Sequence, residues 1–495
     1  MPRRLRVLVM ASEVEPFAKT GGLADVAGAL PAALASLGHD VRVLMPKYRG
    51  VDARVETLRA VVPRLMVPLG EREVEGAVFE GRTLADVPVY FLGQDHYYDR
   101  EGLYGTADGD YWDNCERFIF FCRGGLEALL HLEEADGGPW LPQVIHCNDW
   151  QTGLVPVYLR TLYRDHPSLG RIATLFTIHN LAYQGVFWHY DMPMTGLGWD
   201  LFTPAGIEFY GKLNFLKAGL VFADLLTTVS RTYAREIRTS AFGNGLEGVL
   251  EERSHDLHGV INGLDYASWN PAKDAAIVQP YSADDPAGKT ACREALRAEL
   301  GLASAPGPVV AMVTRLAEQK GADLVLGALP GILAEGCQFV LLGSGDAGLE
   351  AAFVEAARQH PGQVAAHIGY DADLARRFYA GADCLLMPSR YEPCGLSQLI
   401  ALRYGAVPLV RRTGGLTDTV TEFDPARRTG TGFAFDAFAV EALLDAVRRA
   451  TSAYRQPALW KALVRNGMAE DFSWEASARE YVTLYAKARK AQGAP

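Results

Sequence analysis

The sequence predicts an α/β protein of two domains, each built on an open, mostly parallel sheet. Three observations carry this. At 495 residues and 49% hydrophobic composition, the chain is long enough for two or three full-sized cores. Short apolar runs alternate with helical patterns along most of its length. The runs end in Gly-rich or polar loops that lead into the next helix, as parallel sheets covered by helices require.

In the first half, Leu5–Ala11 reads as a strand, Gly22–Leu37 as a helix and Val41–Met45 as a strand, together one βαβ unit. PQVIHC (142–147) and ATLFTIHN (173–180) are further strands. The second half repeats the rhythm with VVAMVT (309–314), QFVLLG (338–343), VAAHIG (364–369), CLLMPS (384–389) and AVPLV (406–410). Between them, Thr227–Trp269 carries VSRTYAREI, a Gly-rich segment and VINGLD. The boundary is placed there, giving Rossmann-like domains over 1–257 and 258–474. Ligands of such sheets sit at the carboxyl ends of the strands, and a cleft between two of them would gather loops from both.

Composition removes several classes of function. The formal net charge is −11, with 48 Lys and Arg against 59 Asp and Glu interspersed along the chain. That balance argues against nucleic acid as a partner while leaving room for a small anion at a local basic cluster. No apolar stretch approaches the roughly 18 residues of a spanning helix, so no membrane partner is expected. The N-terminal MPRRLRVLVMAS runs at once into Glu13 and Glu15, and reads as a buried strand rather than a signal peptide. Seven Cys without a C-x-x-C pair indicate neither a disulfide framework nor a zinc site, and point to a reduced, cytoplasmic protein.

The loops carry the chemistry. TGGL occurs twice, in KTGGLAD (19–25) and RTGGLTD (412–418). In the first, Gly21 and Gly22 lead into a helix whose amides approach an anion while Lys19 adds charge; the alternative is a Gly-rich turn with a solvated lysine. In TRLAEQKG (314–321), Arg315 and Lys320 stand on a strand-to-helix loop and suit a diphosphate, or are simply two exposed cations. GSGD (343–346) lacks the full G-x-G-x-x-G pattern, which also disfavours an NAD-dependent enzyme. In SRYEPCGLSQLIALRYG (389–405), Glu392 precedes a helix starting near Gly395. It is either an acid favoured by the helix dipole or a holder of sugar hydroxyls, with the Gly395 and Leu396 amides on phosphate. Cys394 reads as a packed small residue.

With SEVEPFAKTGGLADV, HCNDWQTGL, TIHNLAYQG, VINGLD, TRLAEQKG, RYEPCGLSQ and VRRTGGLTDTV in this order, the chain resembles the bacterial glycogen synthases and plant starch synthases, retaining glycosyltransferases of GT-B fold. The resemblance implies two Rossmann-like domains facing across a deep cleft, with a last helix (475–492) packed back onto the first domain. It implies transfer of glucose from a nucleotide-glucose, ADP-glucose for the bacterial type, to the 4-hydroxyl at the non-reducing end of an α-1,4-glucan, glycogen or a maltooligosaccharide. No cofactor and no metal are expected, so fixed cations and amides must stabilise the departing ADP.

By this resemblance Glu392 holds the donor glucose, Arg315 and Lys320 meet its phosphates, and Lys19 reaches them from the other domain. His179 serves the sugar or the reacting centre, with Asn180 beside it. Asp149 contacts hydroxyls or caps a helix near Thr152, and Asp25 carries the same ambiguity. Tyr370 offers a stacking surface to the base. Aromatics of DHYYDREGLYG (95–105), Trp140 and Trp150 stack on glucan or belong to the core. Retention is assigned to same-face attack, with the leaving phosphate accepting the acceptor's proton. Many retaining GT-B enzymes carry a second glutamate eight positions after the first, where this chain has Ile400; the glycogen synthase type commonly lacks it, so the ribose contact is unassigned. The first TGGL loop is expected on phosphate and the second in support. A phosphorylase of related fold is disfavoured, since no motif for a Schiff-base lysine is found.

Overall fold

The computed structural model describes residues 4–133 and 138–493. The chain forms two compact units. One comprises the chain up to Val229, then Ala234–Gly263, and the end from Trp474; the other comprises Ser230–Tyr233 and Leu264–Ser473.

The first unit holds a nine-stranded sheet. Its strands are β1 (Arg6–Met10), β2 (Asp40–Pro46), β3 (Arg59–Leu69), β4 (Arg72–Arg82), β5 (Pro88–Gly93), β6 (Val144–Asn148), β7 (Ala173–Ile178), β8 (Leu225–Thr228) and β9 (Leu257–Gly259). They lie in the order β9-β8-β7-β6-β1-β2-β5-β4-β3. All neighbours are parallel except the β3–β4 and β4–β5 pairs, which form an antiparallel extension at one edge. The central strands are buried on both faces; every residue of β6 and β7 is buried. That double burial is why they read in sequence as unbroken apolar runs.

The helix Trp474–Ala491 buries Trp474, Ser477, Ala478, Tyr481, Leu484, Tyr485 and Ala488, one stripe at helical spacing. It packs on the Gly22–Ser36 helix and on β6, β7 and β8. Tyr485 OH lies 2.9 Å from His146 Nδ1 in the sheet.

The second unit is built on six parallel strands: β10 (Val309–Val313), β11 (Gln338–Gly343), β12 (Val364–Ile368), β13 (Cys384–Met387), β14 (Val407–Arg411) and β15 (Phe433–Phe435). Their order is β12-β11-β10-β13-β14-β15. Alternate residues of β10 enter different cores: Val309 and Ala311 on one face, Val310 and Met312 on the other. This is the period-2 signature of a sheet covered by helices on both sides.

The boundary differs from the sequence reading. Residues 258–263 stay with the first unit because β9 pairs with β8 and Val260 N donates to Thr228 O at 2.9 Å. Residues 230–233 group with the second unit.

Both sheets contain a topological switch point, where strand order reverses and loops at the carboxyl ends diverge to leave a crevice. In the first sheet it falls between β1 and β6, in the second between β10 and β13.

Candidate active site

The predicted site residues occupy loops at the carboxyl ends of the strands, with Lys19, Asp149, Arg315, Lys320 and Glu392 on loops that flank these switch points. In the first unit, the loop after β1 carries the KTGGL segment. Glu13, buried at its start, accepts Thr20 N–H at 2.5 Å, the Thr20 hydroxyl at 2.7 Å and Gly21 N–H at 3.1 Å. Tyr104 OH donates to the same carboxylate at 2.7 Å. The Gly21 amide assigned to phosphate from sequence is therefore turned onto Glu13. Lys19 Nζ lies 2.6 Å from Asp25 Oδ1 and 3.8 Å from Glu15 Oε2, so Asp25 pairs with Lys19. Gly22 opens the helix, and a Cβ at Gly21 or Gly22 would meet no atom within 4 Å.

On the other side of that switch point, Asp149 follows β6 at φ +56°, a conformation costing a non-glycine residue on the order of 1–3 kcal/mol. Its backbone is held by Asp149 N–H to Thr177 O at 2.9 Å and Thr152 N–H to Asp149 O at 3.1 Å. The carboxylate does not cap the turn at Thr152; Oδ1 instead accepts His179 N–H at 2.7 Å. Burial pushes this carboxyl up to about 7, with the His179 amide acting in the opposite direction.

His179, just beyond β7, has its Nε2 2.9 Å from Asn148 Oδ1, and burial holds its ring down at about 3. Asn180 uses Oδ1 to accept Ala182 N–H at 3.0 Å, shaping the turn behind His179. Asp149, His179 and Asn180 are thus brought together by β6 and β7 as parallel neighbours.

In the second unit, Lys320 leaves the loop after β10 and Glu392 the loop after β13. Lys320 Nζ lies 2.9 and 2.7 Å from the two carboxylate oxygens of Glu392. Ser389 Oγ donates to Glu392 Oε2 at 3.0 Å, and Glu392 is only 5% exposed. The two loops are locked by backbone contact: Arg390 N–H donates to Gln319 O at 2.8 Å, and Gln319 Nε2 to Tyr391 O at 3.1 Å. Gly321 makes this fit possible, since a Cβ there would stand 2.3 Å from Pro388 O.

Arg315 is exposed at the carboxyl end of β10, without a side-chain hydrogen bond or ion pair among the described residues. The GSGD glycines serve this loop: a Cβ at Gly345 would stand 2.3 Å from Leu316 O, and Asp346 caps the next helix by accepting Leu349 N–H at 2.9 Å. Tyr370 follows β12 and is 88% exposed.

Gly395 adopts φ +74°, and Leu396 caps the helix Ser397–Arg403, which begins two residues later than the sequence suggests. Cys394 is buried, and Ile400 lies in the hydrophobic core.

The second TGGL loop is packed against the Glu392 turn. A Cβ at Gly414 would stand 1.9 Å from Glu392 O, and one at Gly415 2.0 Å from Cys394 O. The open aromatic alternative resolves toward the core for Tyr97, Tyr98 and Trp140, all buried. Trp150 is half-buried with its ring 4.8 Å from that of Phe118. The exposed aromatics of this unit are elsewhere, at Trp112, Tyr183, Trp188, Tyr190, Trp199 and Tyr210.

Two α/β units, with the half-buried Lys320 against the buried Glu392 carboxylate at the switch point of the second, match the GT-B class of glycosyltransferases when compared with known proteins. The family model of the starch synthase catalytic domain matches residues 6–252, and that of glycosyl transferases group 1 matches residues 293–466. Glycogen synthase from Syntrophotalea carbinolica is 51% identical over 487 residues, 98% of this chain and 99% of the relative. Glycogen synthase from an Anaeromyxobacter species is 51% identical over 483 residues, 97% of this chain and 99% of its own. Among solved structures, the catalytic domain of starch synthase IV from Arabidopsis thaliana, bound to ADP and acarbose, superposes with a TM-score of 0.87 at 34% identity. The match covers 99% of this chain and 100% of that one. The chain belongs to the glycogen and starch synthase family, and is an enzyme that transfers glucose. Among the described residues, no helix is long and apolar enough to cross a membrane.

Proposed function

We propose that this chain transfers glucose from ADP-glucose to the 4-hydroxyl at the non-reducing end of an α-1,4-glucan, with retention of configuration and release of ADP. The observation that carries the reading is the Lys320–Glu392 pair. It places a carboxylate able to accept sugar hydroxyls against an ammonium able to meet phosphate, both at one switch point. The starch synthase bound to ADP and acarbose supports a nucleotide and an oligosaccharide as the ligand classes.

In this reading Arg315, exposed and unengaged by neighbouring carboxylates, and Lys320 stabilise the negative charge that grows on the leaving diphosphate. Glu392 orients the donor glucose through its hydroxyls. Lys19 adds a third cation after giving up Asp25. Tyr370 stacks on the base, and Gly395 and Leu396 present backbone amides. His179, with its ring neutral, hydrogen-bonds a sugar hydroxyl, and Asp149 and Asn180 hold it in place. The departing phosphate takes the acceptor's proton during same-face attack. In this reading the charge stabilisation uses no metal. The exposed Trp188 and Tyr190 offer stacking faces to sugar rings. Seven buried cysteines with no disulfide framework among them suit a reducing cytoplasm.

The test is incorporation of radiolabelled glucose into glycogen from ADP-glucose and from UDP-glucose in parallel. Label entering glycogen mainly from ADP-glucose supports the reading. Comparable or greater incorporation from UDP-glucose defeats the donor assignment, and none from either defeats the activity.

A further inference from the structure

We propose that Ser230 and Gln398 are positioning residues that fix the Glu392–Gly395 turn and so keep Glu392 against Lys320. The functional part of this rests on the donor-binding reading of Glu392 given above.

Four successive carbonyls of the turn are all taken by donors packed around it. Glu392 O accepts Gly415 N–H at 3.0 Å. Pro393 O accepts the Ser230 hydroxyl at 2.6 Å and Gly415 N–H at 3.2 Å. Cys394 O and Gly395 O each accept the Gln398 side-chain amide at 3.0 Å. Two of the four therefore depend on one glutamine, and a third has a serine as its shorter partner.

Both side chains are completely buried, and each is itself oriented. Ser230 Oγ accepts Tyr233 N–H at 3.1 Å, which leaves its proton for Pro393 O. The segment around it is anchored by Asp418, which accepts Thr232 N–H at 2.7 Å and the Thr232 hydroxyl at 2.6 Å. Gln398 Nε2 also reaches Thr419 Oγ1 at 3.2 Å, and that hydroxyl donates to Gly415 O at 2.6 Å. The amide orientation follows from this set, because the opposite flip would aim an oxygen at two carbonyls. Asp418 closes the RTGGLTD segment and Thr419 follows it directly, so that loop, Ser230 and Gln398 form one network around the turn.

The weak point they restrain is Gly395. It sits at φ +74°, and a Cβ there would stand 2.3 Å from Gln398 Oε1, so glutamine and glycine are fitted to each other. Glycine is also the residue whose peptide reorients most easily. A flip there would carry the Leu396 amide away and loosen Glu392 one turn upstream. Removing a donor from a buried carbonyl shifts such an equilibrium by roughly 10-fold.

The test uses full-length Ser230→Ala, Gln398→Met and Ser230→Thr variants, with Val447→Ala as a control for general destabilisation. Val447 is buried in the helix Val440–Tyr454, in a core cluster that does not include this turn. Amide hydrogen exchange over residues 389–399 reads the positioning directly. It should run roughly 10-fold faster in S230A and Q398M, return toward wild type in S230T, and be unchanged in V447A. The kcat/KM for ADP-glucose should fall by a similar factor in S230A and Q398M, with the KM for glycogen unmoved. Unchanged exchange in S230A and Q398M, or equal acceleration in V447A, overturns the proposal. The exchange arm decides this even if the wild-type protein transfers nothing from ADP-glucose, a result that would sink only the donor reading.

Discussion

Lys320 and Glu392, separated by 72 positions in the chain, meet as a bidentate ion pair with Nζ–O distances of 2.9 and 2.7 Å. Each comes from a loop at the carboxyl end of a strand, and β10 and β13 are neighbours across the point where strand order reverses. The pair is partly withdrawn from water, so removing one partner strands the other. That loss is more damaging than breaking an exposed pair.

The two TGGL loops should respond oppositely to added methyl groups. At Gly414 and Gly415 a Cβ would collide with the backbone of Glu392 and Cys394, whereas at Gly21 and Gly22 it meets nothing. Gly414→Ala and Gly415→Ala should lower the melting temperature and yield little active protein. Gly22→Ala should leave stability equal or higher by up to about 1 kcal/mol, because it opens a helix. If the donor's phosphates approach the first loop closely, Gly21→Ala and Gly22→Ala will cut kcat/KM without a stability loss. Thermal melts paired with steady-state kinetics check this; wild-type kinetics in both would remove the first loop from the donor site.

Asp149 should impose a pH-dependent cost. Its carboxyl is raised from an ordinary 3.8 to about 7 by burial. Below about pH 4 the group is protonated in folded and unfolded chains alike and costs nothing. Stability falls as pH rises from about 4 to about 7, while the unfolded chain has released a proton the native state still holds, and the loss is complete once pH passes 7. Asp149→Asn keeps an oxygen for His179 N–H and tolerates positive φ. It should therefore be more stable than wild type at pH 8, by on the order of 2–4 kcal/mol, and indistinguishable near pH 4. Urea midpoints across that range give the answer; a gap that is constant with pH would contradict the buried-charge account.

His146 gives the opposite slope. Its nitrogens face the hydroxyls of Tyr485 at 2.9 Å and Thr177 at 2.6 Å. Hydroxyls suit a neutral ring, since either can donate or accept. Burial, with His179 nearby as the lesser cause, holds the ring down at about 3. Its contribution is complete above about pH 6.5 and is lost as pH falls toward 3. His146→Gln should flatten the acid limb of stability between pH 6.5 and 4, with the slope from His179 remaining. An unaltered acid limb would show that His146 is not among the groups taking up protons on unfolding.

Much of the architecture was legible because the central strands are buried on both faces. Runs such as QFVLLG and ATLFTI admit few other readings. The β3–β4 hairpin was not, because Arg59–Arg82 mixes Arg, Glu and Pro into a sheet edge and its alternation is broken by bulges. The residues of the Lys320–Glu392 pair were legible as motif positions, but their contact was not, since it depends on two loops locking through Gln319 and Arg390. Glu13 was missed as a site residue. Its one signal was a carboxylate placed straight after an apolar strand, and that signal says nothing about which amides it will meet. The supporting role expected of the second TGGL loop does not reveal that its glycines answer to the crowding of another backbone. Single aromatics such as Trp140 carry no mark in sequence that separates a core ring, here bonded to Asp40 and covered by Arg42, from a sugar platform.

The central claim is that Lys320 acts on the donor at the site it shares with Glu392. The most direct measurement is turnover of a Lys320→Ala variant at saturating ADP-glucose and glycogen, with its melting curve recorded alongside. The account predicts a folded protein whose kcat is lower by at least about 100-fold, the size expected when a preorganised charge at a leaving group is removed. A folded variant with near-normal kcat would contradict it.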